Sequence, residues 1–382
     1  MAALYFQAAL DFAVNNNLTL EVQGGTMLLG STINVKGKVL TMKGQGLGRT
    51  NILANGNYTL FEHTSRFSVS DMAVNQNSGT FEGIAFGNAR SDSSDTQSLY
   101  SNWSRVYISG FHFSFWLRAS VWNTWDNIYS RSLVGIRFAM NADPYDVTSD
   151  SPSGWNQFSP VIGWFHNVNK ITSSLFADKE CGVFGCPSQL SLDSVTTQGQ
   201  YGDKLTNVIL PVTEERTGVW LQAGRSSDTV KGNSVQNHYT EACVRPFYLQ
   251  NQQSLTISTL FVQGGAFDNR FKTPIECAAS TVYVDGVTGQ DWFLSLAVLR
   301  NGSNLYGATA GAVVGGSYDV QDTSKHFKHR EQEQFTRNFY FSAGAGLASY
   351  TIPVNIANSS HYDLRIGGIY DGYSYRQAAY DV

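Results

Sequence analysis

Proline is scarce in this 382-residue chain, at 8 residues, so few extended segments are interrupted. Cysteine is scarcer, at 4. Cys181, Cys186, Cys243 and Cys277 lack the paired C-x-x-C spacing of a zinc site. Buried free thiols are expected for them, with a local Cys181–Cys186 disulfide as the alternative. Charge is sparse too: 15% of residues are charged and the net charge is -4. A nucleic-acid binder needs a basic stripe to neutralise phosphates, so that class is excluded. No run approaches 18 apolar residues, which excludes a membrane-spanning helix. No basic segment followed by an apolar run opens the chain, so no signal peptide is expected. Hydrophobic residues make up 42%, too many for a disordered chain.

What is abundant is aromatic residues: 8 Trp, 19 Tyr and 23 Phe. A surface surplus would suit the flat faces of sugars, because a ring offers large contact area at low entropic cost. Large β proteins also build their cores from aromatics.

The pattern along the chain begins with one amphipathic helix over residues 3–15. Phe6, Ala9, Leu10, Ala13 and Val14 form its single apolar stripe, and Asn15-Asn16-Asn17 ends it. From residue 18 the period changes to two. Strands of mostly three to six residues follow, separated by Gly, Asn, Ser and Asp turns. They repeat loosely. Phe115-Trp116-Leu117 is answered about twenty residues later by Ile136-Arg137-Phe138, and Val219-Trp220-Leu221-Gln222 by Phe247-Tyr248-Leu249-Gln250. A period of twenty-odd residues holding three short strands is that of a β-solenoid, whose coils bury their inner side chains by stacking. The first coil has an exposed edge, which the 3–15 helix is placed to cover.

These observations predict an all-β chain: a right-handed parallel β-helix over 18–320, capped by residues 1–17. A long excursion is expected at 141–188, where Trp155 and Trp164 stand among prolines and two of the cysteines. A polar linker is expected at 321–334. A small β-sandwich-like segment should occupy 335–382, truncated because no closing element follows.

The opening resembles the pectate-lyase-like β-helices of bacteriophage tailspikes and capsule depolymerases. The resemblance rests on the run Gln7–Ala13, on Leu20–Leu29 with its Gly24-Gly25 turn, and on Ser31–Val35. It continues through Leu40–Gly46, Trp103–Phe111 and Trp125–Ser130. It covers residues 4–140 well and 215–300 loosely. The proline common at the first glycine turn is absent here. The Gly44-Gln45-Gly46 cluster is not a phosphate loop, since no βαβ unit surrounds it. The resemblance implies a phage tail or baseplate protein that assembles as a homotrimer, and is carried in the virion tail. Its partner would be a bacterial surface polysaccharide. It implies no cofactor or metal.

Fold does not settle chemistry, so the acids must be weighed directly. Hydrolysis of a glycosidic bond needs two carboxylates, about 5–5.5 Å apart for retention and about 6.5–9.5 Å for inversion. Four acids lie on or beside strands in mid-solenoid: Asp126, Asp193, Glu241 and Asp268. Glu241 ranks first, because it ends the polar run Gln236–Glu241, with His238 and Tyr239 before it and Arg245 behind. These three, with Trp155 and Trp164, are the candidate substrate-binding residues. Each acid could instead cap a coil corner, as Asp and Asn do. Two other classes compete. One is a polysaccharide lyase, with His238, Tyr239 or Lys231 abstracting a proton and Arg245 or Arg225 neutralising a uronate. The other is a tail adhesin that binds glycan without cutting it.

Overall fold

The computed structural model describes residues 2–87, 97–117, 119–139, 166–199, 217–222, 230–263, 273–289, 297–307, 310–311, 318–321, 323–329, 332–334, 363–370 and 374–381. The chain divides into a unit spanning 1–338 and a second spanning 339–382.

The first unit is a right-handed parallel β-helix. Its described strands form sheets of 19, 11, 3 and 2 short segments, and every pairing within them is parallel except that of Lys325–His329 with Gln332–Gln334. Parallel strands joined by crossovers take the right-handed sense. The repeats legible in the sequence are in register: Phe115 pairs with Ile136 and Leu117 with Phe138, and Val219 pairs with Phe247 and Gln222 with Gln250.

Seven successive coils of the larger sheet each bend at one residue. Asp71, Arg105, Asn127, Ser173, Ser194, Asn237 and Thr259 hold φ between 48° and 61°, coil after coil. A left-handed residue turns the strand and divides the sheet into a first and a second stretch. Inside, like stacks on like. Phe61, Phe86 and Phe115 stack at 5.3 and 5.2 Å, and Trp103 lies on Trp125 at 5.1 Å. Most described tryptophans are therefore core residues, which accounts for much of the aromatic surplus.

The helix spans Ala2–Asn15 and buries Phe6, Leu10 and Ala13. Gln7 docks it on the first coil of the smaller sheet. Its Nε2 donates to the Asn34 carbonyl at 3.0 Å and its Oε1 accepts from the Asn34 amide at 2.7 Å. A side-chain amide thus satisfies a strand edge where a backbone neighbour would stand.

Two segments differ from expectation. Residues 166–188 hold four short strands that lie in the solenoid's sheets, where an excursion was expected. The solenoid also runs past 320, because Asn304, Leu305 and Tyr306 pair with residues 325–327 of the expected linker. In the second unit, Asp363–Tyr370 and Ser374–Asp381 pair as an antiparallel hairpin. All four cysteines are free.

Candidate functional site

The outer surface of the first stretch is a continuous polar face. Alternation sends Trp103, Trp125, Ile171, Leu192, Val235 and Ile257 inward, where all are buried. The residues on either side of them face out and stack into two columns. One column runs Asn102, Thr124, Lys170, Ser191, Ser234, Thr256, and the other Ser104, Asp126, Thr172, Asp193, Gln236, Ser258. Every member is polar over six coils, about 24 Å at about 4.8 Å per rung. Hydroxyls, amides and carboxylates at this spacing present hydrogen-bonding partners along a line parallel to the solenoid axis.

Two candidate acids fall in the second column. Asp126 pairs with Thr172, and Thr172 with Asp193, so the two aspartates stand two rungs apart, or about 10 Å between Cα atoms. Thr172 Oγ1 donates to Asp126 Oδ1 at 2.7 Å, drawing that carboxylate towards the rung between them. Asp193 Oδ1 accepts from Ser194 Oγ at 3.1 Å. Beside the column, Arg105 grips Asp71 with a fork of 2.5 and 2.9 Å. That guanidinium holds the Asp71 carboxyl below its ordinary range and adds positive charge near Asp126.

Glu241 sits elsewhere. Asp193 pairs with Gln236, five residues before Glu241 and on the other side of the Asn237 bend. Glu241 lies at the far end of the second stretch, between Gln198 and Gln263. The polar cluster expected around it is dispersed. His238 points inward and is 1% exposed. It shares a hydrogen bond with Thr197 at 3.1 Å and meets the Phe247 ring edge-on at 5.0 Å. Burial pushes its pKa down to about 3, so it is a neutral core residue with no surface to offer a glycan. Arg245 belongs to the smaller sheet, where it pairs with Glu276 at 3.3 Å. Tyr239 does share the outer face with Glu241, bonded through its hydroxyl to Gln263 and stacked on Phe261 at 5.3 Å. Asp268, Trp155 and Trp164 lie outside the described residues.

The sequence reading missed Thr172 and the polar columns. Their signal is a run of outward polar residues at matching positions of successive coils, readable only once the register is known.

Neither a protein-family model nor a curated protein matches the chain. Several solved structures are similar to it at low identity. The Agl-KA catalytic domain is 14% identical with a TM-score of 0.44, over 83% of this chain and 54% of its own. The tailspike protein of Acinetobacter phage vB_ApiP_P1 is 9% identical with a TM-score of 0.42, over 99% and 73%. The catalytic domain of a GH87 alpha-1,3-glucanase in complex with nigerose is 12% identical with a TM-score of 0.45, over 84% and 63%. The chain thus spans about half the length of the first of these.

Proposed function

We propose that this chain is a phage tail depolymerase that binds a bacterial surface polysaccharide on the two polar columns and hydrolyses it with Asp126 and Asp193. The register Asp126–Thr172–Asp193 carries the reading. Two rungs set the aspartates near the separation of about 6.5–9.5 Å that leaves room for a water beside the sugar. One carboxylic acid then protonates the leaving glycosidic oxygen. The other, as carboxylate, takes a proton from the water that attacks the opposite face of the ring, so the anomeric configuration inverts. Retention would require acids one rung apart, and Thr172 occupies that rung. The resemblance of residues 4–140 to tailspike β-helices supports a place on the phage tail and a homotrimer.

The test is cleavage of purified capsular and O-antigen polysaccharides by the wild type and by Asp126→Asn, Asp193→Asn and Glu241→Gln. Proton transfer by a placed side chain is worth about 10²–10⁴ in rate, so both Asn variants should lose at least that much. Glu241→Gln should cut at nearly the wild-type rate. Azide should restore the variant that lacks the base and leave the variant that lacks the acid inactive. Full activity in either Asn variant, or loss in Glu241→Gln alone, moves the site to the second stretch.

A further inference from the structure

Three successive coils present large apolar side chains at one corner, from a backbone conformation that such residues avoid. Tyr100, Trp122 and Val168 stand each two residues before the column Asn102–Thr124–Lys170, with φ of 52°, 55° and 52°. The left-handed region is an outlier for aromatic and β-branched residues. The next three coils fill the same position with Gln189, Gly232 and Ser254, so the winding does not require bulk there. Nor is the strain offset by burial: Tyr100 is 54% exposed, Trp122 49% and Val168 41%. The two rings stack at 4.9 Å, 15° from parallel.

The corner is also fixed from beneath. Asn123 Nδ2 donates to the Ser98 carbonyl at 2.9 Å and to Ser120 Oγ at 2.8 Å, while its Oδ1 accepts from the Ser101 amide at 2.7 Å. Asn169 continues the ladder, accepting from Ser120 Oγ at 2.8 Å and donating to the Ser120 carbonyl at 2.8 Å. All of these groups are buried. A saturated buried network rigidifies what it carries, and here it carries an exposed pair of stacked rings. Trp122 is four residues before Asp126, at most about 13 Å of extended chain, and the polar columns begin directly beside it.

We infer that the Tyr100–Trp122 ridge is a carbohydrate subsite that takes the apolar C–H face of a pyranose unit. Ring surfaces give large rigid contact at small entropic loss, and the adjoining columns receive the hydroxyls of the following units. The subsite holds the polymer so that it crosses towards Asp126. This rests on the reading of the columns as a glycan site.

The experiment uses the full chain with Asp126→Asn, so that the polymer stays intact, against immobilised capsular and O-antigen polysaccharides. Dissociation constants are measured with and without Tyr100→Asn and Trp122→Asn together. Asparagine adopts left-handed φ more readily than an aromatic residue, so the double variant should melt at the same or a higher temperature while its affinity falls at least ten-fold. With Asp126 restored, KM should rise and kcat stay level. Unchanged affinity for a polysaccharide that the parent binds and the wild type cuts overturns the subsite and leaves the hydrolase reading standing. A lowered melting temperature makes the rings structural and overturns it as well. So does a loss of self-association in sedimentation, which makes the ridge a contact between copies. If no polysaccharide is bound by the parent, the reading of the columns falls, and the subsite with it.

Discussion

A strand places neighbours on opposite faces, and that rule separates residues the eye groups together. His238 and Glu241 are three apart, an odd spacing, so one enters the core and the other faces out. Their adjacency in the sequence suggested a tuned catalytic cluster; the period of two, applied residue by residue, already parts them. Asp126 and Asp193 show the converse. They are 67 residues apart in sequence, and only the coil register makes them near neighbours. Buried ionisable groups carry a separate consequence. Asp178 is fully buried, bonded by Ser130 Oγ at 2.6 Å and by the Ser132 amide at 2.7 Å. Loss of hydration outweighs those bonds and pushes its pKa up from 3.8 to about 7. A raised folded value means that its contribution to stability is fully present below about pH 4 and lost as pH rises through 7. Linkage puts the full effect at about 4 kcal/mol. Burial lowers His238 to about 3 and His63 to about 4, so their contributions are instead lost as pH falls below about 6.5. Asp178→Asn removes a decline spread between about pH 4 and 7, so melting temperatures followed from about pH 4 to 8 should rise more steeply, or fall less, over that interval than in the wild type, with no difference in slope above 7. An unchanged profile would show that Asp178 is not the group responsible.

Among the elements, the helix and the longer strands were legible because each carries a full period of its pattern. Of the expected stripe, Phe6, Leu10 and Ala13 are buried, Val14 is half-buried and Ala9 is exposed. Residues 166–188 were not legible as a coil, because strands such as Lys170–Thr172 and Leu175–Phe176 are too short to display alternation. What fixes that coil is the amide ladder of Asn123 and Asn169, a tertiary feature with no periodic trace. Two variants weigh these elements. Leu10→Ala removes a fully buried side chain and should destabilise by about 2–5 kcal/mol, with aggregation as the first coil loses its cover. Asn123→Ala leaves the Ser101 amide and the Ser98 carbonyl without their Asn123 partner and should destabilise by about 3 kcal/mol or more. Chemical denaturation of both variants checks these values. A change below about 1 kcal/mol in either would mean that the element is held by other contacts.

On the scale of the whole molecule, a solenoid offers long faces rather than a cleft, and its chemistry is set by which columns coincide. The second stretch supplies an outer column of half-buried Tyr107, Tyr129, Leu175, Thr196, Tyr239 and Phe261 beside the polar one, aromatic or aliphatic at every rung but Thr196. In the proposed homotrimer this is the face suited to pack against a neighbouring subunit, since closed symmetry buries apolar surface around an axis. Sedimentation equilibrium of the chain should return three times its 42.0 kDa mass, and a monomer at micromolar concentration would reject the trimer. Most decisive is mass spectrometry of the fragments that the wild type and the Asp126→Asn, Asp193→Asn double variant release from a panel of capsular and O-antigen polysaccharides. The wild type should release oligosaccharides that have gained one water per cut, and the double variant should leave the polymer whole. Unsaturated fragment ends, an intact polymer with the wild type, or equal cutting by the double variant would each contradict hydrolysis by this pair.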